Sequence, residues 1–116
     1  MKKGFSLIML FATACTLGTA YAALSEEEMT AKAKEAVGRA VKDGESMRFN
    51  VLSVKPMPKD PESFIVCGEV NAKNSYGAYS GFQRFAYSFL DKTPMVRLEE
   101  GGRSAQIMLD AFCPKQ

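Results

Sequence analysis

Glu69 and Asn71 share a face at strand spacing, Lys73 and Asn74 follow where that strand would leave its sheet, and Arg84 returns alongside them. A carboxylate, two amides and two cations so placed would bind a polar ligand or a partner's charged loop. The plainer reading is a structural pair, Glu69–Lys73 or Glu69–Arg84, which if solvent-exposed is worth only about 0–1 kcal/mol. Aromatic side chains crowd the same stretch. Tyr76, Tyr79, Phe82, Phe85, Tyr87 and Phe89 are half of the chain's four tyrosines and eight phenylalanines. Exposed aromatics stack on sugar rings or anchor protein interfaces. Phe82, Phe85 and Phe89 are better read as core of a small sheet, which leaves Tyr76 and Tyr79 as the surface candidates.

Catalysis is poorly supplied. The chain has no histidine, which removes the usual general base, the Ser-His and Cys-His pairings and the commonest metal ligand. Glu69 is a conceivable base, but no second residue has a defined catalytic role beside it. Glu99, Glu100 and Asp110 are scattered carboxylates that a solvated face explains. Gly101-Gly102 before Ser104 lacks the lysine and spacing of a phosphate loop. No catalytic residue, metal site or cofactor is therefore assigned, and the chain is not expected to be an enzyme.

The residues from Val66 to Phe85 read V-C-G-E-V-N-A-K-N-S-Y-G-A-Y-S-G-F-Q-R-F. This stretch resembles a segment of small, exported, uncharacterised bacterial proteins with the pattern V-C-G-x-V-N-x-K-N, then G-x-Y-x-G-F and a later F. The resemblance implies an envelope or secreted location and a compact α+β domain, and it carries no catalytic role. The residues also have a plain physical reading. Gly68 permits a bulge or close backbone approach, Asn71 and Asn74 can bond their own backbone, and Gly77 and Gly81 supply turn geometry. The segment is thus either an elaborate turn or a binding surface made of Glu69, Asn71, Lys73, Asn74, Tyr76, Tyr79 and Arg84.

The start of the chain reads as an export signal. Lys2 and Lys3 precede an uncharged apolar stretch from Phe5 to Leu17, and Ala20-Tyr21-Ala22 is an A-x-A cleavage signature. Residues 1–22 are expected to be removed, leaving one domain over 23–116 with no membrane span. The competing readings are an uncleaved anchor and a lipid attached at Cys15. Losing Lys2 and Lys3 takes the basic residues from 15 to 13, equal to the 13 acidic ones. Without a net positive field, nucleic-acid binding is not expected. The expected location is periplasmic or secreted. The expected partner is an envelope or secreted protein, with a glycan or small ligand as the alternative. Cleavage also leaves Cys67 and Cys113, an even pair in an exported domain, which reads as one disulfide rather than two free thiols.

These side chains need a scaffold. Ser25 and Glu28 form a capping box, Leu24 and Met29 have the spacing of a hydrophobic staple, and Met29, Ala33, Ala36, Val37, Ala40 and Val41 recur on one helical face up to a stop at Gly44. Met47, Phe49 and Val51 alternate as a strand over 47–54. Leu52 and Val54 break that parity, which fits a bulge or twist near Leu52. Three prolines in Lys55–Pro61 read as an extended loop. Strands follow at 64–71, 82–90 and 95–98, with a loop over 71–81 and a turn over 91–94. Ser104 is expected to cap a short helix to Phe112 with Ile107, Met108, Ala111 and Phe112 on its apolar side. Strands gathered between two helices give an α+β fold: an N-terminal helix, a three- to four-stranded antiparallel sheet, a short C-terminal helix and one disulfide.

Overall fold

The computed structural model describes residues 24–114, so the proposed export signal and Cys15 lie outside the described residues. Helix α1 (Glu26–Ala40) leads through a 3-10 turn (Gly44–Ser46) into strands β1 (Arg48–Met57), β2 (Asp60–Asn71), β3 (Gln83–Leu90) and β4 (Thr93–Leu98). A second 3-10 turn (Glu99–Gly101) precedes helix α2 (Arg103–Phe112). The strands form one antiparallel meander in the order β1-β2-β3-β4. This is the expected α+β class, with the Cys67–Cys113 disulfide formed. No helix among the described residues is long and apolar enough to cross a membrane.

Alternation along the strands gives the sheet two apolar faces. On one, Phe64, Val66, Val70, Phe85 and Tyr87 bury against Met29, Ala33 and Val37 of α1. On the other, Ile65, Cys67 and Ala86 bury against Leu109 of α2 and Cys113 beyond it. The start of α1 follows its sequence signal. The Ser25 hydroxyl accepts from the Glu28 N–H at 3.2 Å, the Glu28 carboxylate accepts from the Ser25 N–H at 3.0 Å, and Leu24 packs on the core beside Met29. The Ser25 N–H and then its hydroxyl, both donating to the carboxylate, hold the Glu28 carboxyl below its ordinary pKa.

Several boundaries differ from the sequence reading. Helix α1 ends at Ala40, not Gly44. A Cβ at Gly44 would overlap the Gly38 carbonyl group, so this glycine lets the chain fold back against the last turns of α1. Ala40 is correspondingly exposed. The proline-rich stretch is a hairpin: β1 runs through Pro56 to Met57, and β2 starts at Asp60. Pro56 is tolerated because β1 is an edge strand. Pro61 falls where the register jumps from Met57↔Asp60 to Pro56↔Phe64, in an irregularity outside the β2–β3 ladder. A second register shift, between Val51 and Ser53, leaves Leu52 as the extra residue, the bulge that its broken parity suggested. Pro94 lies in β4, the other edge. The turn before it is only Asp91-Lys92, both with positive φ (54° and 63°), as a tight hairpin requires.

Helix α2 also differs. Gly102 (φ 107°), not Ser104, precedes its first turn, and no side chain caps it. Its inward residues are Ala105 and Leu109, while Ile107 (58 % exposed) and Phe112 (42 %) turn outward.

The two hairpin turns at one end of the sheet are joined through buried Ser63. Its hydroxyl donates to Asp60 Oδ2 at 2.6 Å and accepts from the Asp91 N–H at 3.2 Å. That hydroxyl, and then the Glu62 N–H, hold the Asp60 carboxyl below its ordinary pKa. Ser63→Ala leaves the Asp91 N–H without its partner and is expected to cost about 1–2 kcal/mol. The pH dependence has a definite sign. Because the folded pKa of Asp60 is depressed, its contribution is present above the unfolded carboxylate pKa and is lost as pH falls through the folded value. Thermal melts of the parent and Ser63→Ala from pH 7 to pH 3 should therefore converge in acid. A gap that widens in acid would contradict this account.

Candidate functional site

The residues singled out in sequence separate into two places. Asn71 closes β2 and Lys73, Asn74, Tyr76 and Tyr79 form the β2–β3 connection that follows it, while Glu69 and Arg84 belong to the α2 side of the sheet.

The connection is closed from within. Asn74 Oδ1 accepts from the N–H groups of Tyr76 (2.9 Å) and Ala78 (3.2 Å). The Asn74 backbone binds Ala78 O and receives Gly77 N. Asn71, which is buried, accepts from the Gly81 N–H at 3.1 Å. Gly77 (φ 79°) and Gly81 (φ 107°) take the left-handed backbone that these bonds demand. The connection is also moored to the chain beyond α1. Lys73 N–H donates to Ser46 Oγ at 3.1 Å, and Tyr79 OH donates to Ser46 O at 2.8 Å. The Arg48 guanidinium lies 4.1 Å from the centre of the Tyr79 ring, with Lys73 Nζ at 5.8 Å. Lys42 Nζ reaches Ser75 Oγ at 3.2 Å.

Asn71 and Asn74 therefore spend their carboxamide oxygens, and Tyr79 its hydroxyl, on structure. Tyr76 does not: it stands 93 % exposed at the tip. The two tyrosines are alike in composition and opposite in role. The signal separating them is local, since the bonds from Asn74 to Tyr76, Gly77 and Ala78 place Tyr76 at the apex and return Tyr79 to pair with Lys73.

Glu69 and Arg84 are cross-strand partners in register, but the guanidinium turns elsewhere. Its Nε meets Glu99 Oε2 at 3.1 Å and its Nη1 meets Asp110 Oδ1 at 2.8 Å. Asp110 above all, with Glu99, favours the charged guanidinium against its partial burial and raises its pKa. The Glu69 carboxylate makes no hydrogen bond or ion pair with the described residues. It lines a cleft of about 580 Å³ between the β1 bulge, β2, β3 and the end of α2.

Sequence reading missed the rest of that cleft. Leu52 is pushed out by its bulge to 49 % exposure. Phe82, expected in the core, is 46 % exposed because it precedes β3 on the parity of Arg84, away from Phe85 and Phe89. Lys55 reaches Phe112 O at 3.3 Å, and the disulfide-bonded Cys67 and Cys113 form part of the wall. Among the described residues, no three cysteine, aspartate or glutamate side chains gather as a metal site.

No protein-family model, curated protein or solved structure matches this chain.

Proposed function

We propose that this chain is an exported, non-catalytic protein that binds a macromolecular partner in the bacterial envelope, as an inhibitor, an immunity protein or an assembly accessory. The observation that carries the reading is Tyr76, almost wholly exposed on a loop whose backbone is already closed by Asn71 and Asn74. Ordering a flexible loop is one of the main costs of association. A loop held by its own bonds has met that cost before contact, and a tyrosine offers large contact area with few rotatable bonds. Lys42 and Lys73 lie at the loop's flank, so an apolar pocket rimmed by acids fits it. The N-terminal pattern of Lys2, Lys3 and Ala20-Tyr21-Ala22 supports export, and the V-C-G-x-V-N-x-K-N resemblance supports an envelope or secreted setting.

Tyr76→Ala should leave the melting temperature nearly unchanged, since an exposed side chain contributes within about ±0.5 kcal/mol to stability. The same change should weaken partner binding by about 2 kcal/mol, roughly 30-fold. The measurement is a pull-down from periplasm followed by titration of the captured partner with both proteins. A partner that binds Tyr76→Ala as tightly as the parent, or the absence of any saturable partner, counts against the reading.

A second reading draws on the cleft. Phe82 and Leu52 form exposed apolar lips around the unpaired Glu69 carboxylate, an arrangement that suits a sugar ring stacked on Phe82 with a hydroxyl on Glu69. Titration with peptidoglycan fragments separates the two, because Phe82→Ala would remove glycan binding and Tyr76→Ala would not.

A further inference from the structure

Helix α2 covers its face of the sheet only in part. Ala105, Leu109 and Cys113 pack over Ile65, Cys67 and Ala86. The free end of the β3–β4 hairpin extends past them. There Leu90, Met95, Met108 and Phe112 line a groove of about 270 Å³. Leu90, Met95 and Phe112 are each between 36 % and 42 % exposed, so the apolar surface is contiguous and open to solvent. One charged side chain borders it, Arg97. Its only hydrogen bond among the described residues is from Nη1 to the carbonyl of adjacent Val96, at 3.3 Å, and it has no carboxylate partner there.

We infer that this groove binds a single-chain anionic amphiphile, with an acyl tail along Leu90, Met95, Met108 and Phe112 and a carboxylate head on Arg97. Charge complementarity fixes the head: a lone guanidinium at the border favours a carboxylate, and its planar fork can hold both oxygens. Lining chemistry fixes the tail. A peptide laid in the groove would bury amide groups, and only Ser88 and Thr93 among the lining side chains are neutral hydrogen-bonding groups. An alkyl chain has no such groups to satisfy. At about 30 Å³ per water-sized unit, the volume admits a segment of roughly nine methylenes.

The test is titration of the purified protein with dodecanoate below its micelle concentration, followed by calorimetry and methionine-methyl NMR. Dodecanoate should bind saturably at one per chain and shift the methyl signals of Met95 and Met108. Arg97→Gln should weaken it at least tenfold while the melting temperature holds. Dodecyltrimethylammonium, with the same tail and a cationic head, should bind at least tenfold more weakly than dodecanoate. Ser88→Leu, which fills the groove from its floor on β3, should abolish binding in a protein that still melts cooperatively. Equal binding of the two amphiphiles, no binding, or no shift at Met95 and Met108 would overturn the assignment. So would ligand-free dimerisation on sedimentation that Met95→Asp reverses, since a second copy would then be the occupant.

Discussion

Removing the Cys67–Cys113 bridge, by reduction or as the double variant Cys67→Ala/Cys113→Ala, is expected to lower stability by about 4 kcal/mol in the chain-entropy model. For a domain of this size that is a fall in melting temperature of roughly 15–30 °C. The bridge spans a sequence separation of 46, and its Cα atoms are 5.6 Å apart, within the ordinary range for disulfides. It joins β2, at the centre of the sheet, to the end of α2. That helix has 10 residues and no side-chain N-cap, and it buries only Ala105 and Leu109. A helix so short is marginal alone, so the loss should be local first. Amide exchange should quicken in α2 before it does in α1, whose capping box and core face do not depend on the bridge. Unchanged melting of the double variant, or equal quickening in both helices, would contradict the account.

The same bridge explains why the exposed and buried sides of α2 were misread. Ile107, Met108, Ala111 and Phe112 are the obvious apolar set by size and spacing. Yet once Cys113 must reach Cys67, the residues four and eight positions before it have to face the sheet, and those are Leu109 and Ala105. The covalent constraint and the helical period together contain the right answer; hydrophobicity alone does not. Proline gave the opposite error. Pro56, Pro61 and Pro94 each speak against a strand, but only against one that must donate on both sides. Edges and bulges lift that requirement, and whether a strand is an edge is a property of the whole sheet. The N-terminus of α1 and the bulge at Leu52 were legible because each depends on neighbours in sequence: a cap with its third residue, and a break in alternation.

The candidate site was legible in its residues and illegible in its partition. Register sets Glu69 opposite Arg84, so a pair between them was a sound inference. The guanidinium goes instead to Glu99 and Asp110. These follow β3 in the chain, in the segment beyond β4 and in α2, and no local pattern brings them to it. Diverting Arg84 leaves Glu69 available in the cleft. Asn71 and Asn74 had two readings, as ligand-binding amides or turn-formers. Their carboxamide oxygens receive backbone N–H groups, which places them with the turn.

Gly68→Ala is expected to destabilise the fold by about 2–3 kcal/mol, the upper part of the range for overpacking a core, and Gly68→Val by more. The position lies on β2 between Val51 and Phe85, on the face buried by α1. A Cβ there would overlap the Asn50 carbonyl oxygen and sit 2.6 Å and 2.7 Å from Cε2 and Cζ of Phe85. Phe85 is itself fully buried and stacks on Phe49, with ring centres 4.9 Å apart. Its ring occupies the space that a side chain at 68 would need, and the Asn50 backbone cannot yield without disturbing the β1–β2 ladder. Gly77 provides the contrast. A Cβ there meets nothing within 4 Å, but the backbone is left-handed at φ 79°, so Gly77→Ala should cost only about 1 kcal/mol in conformational strain. Melts of the two alanine variants should therefore differ by roughly 1–2 kcal/mol. A double-mutant cycle locates the cause: Phe85→Leu shortens the ring's reach, and in that background Gly68→Ala should lose part of its penalty. A full penalty in the Phe85→Leu background would place the clash on the Asn50 carbonyl alone, and a Gly68→Ala protein as stable as the parent would sink the packing argument for the α1 face of β2.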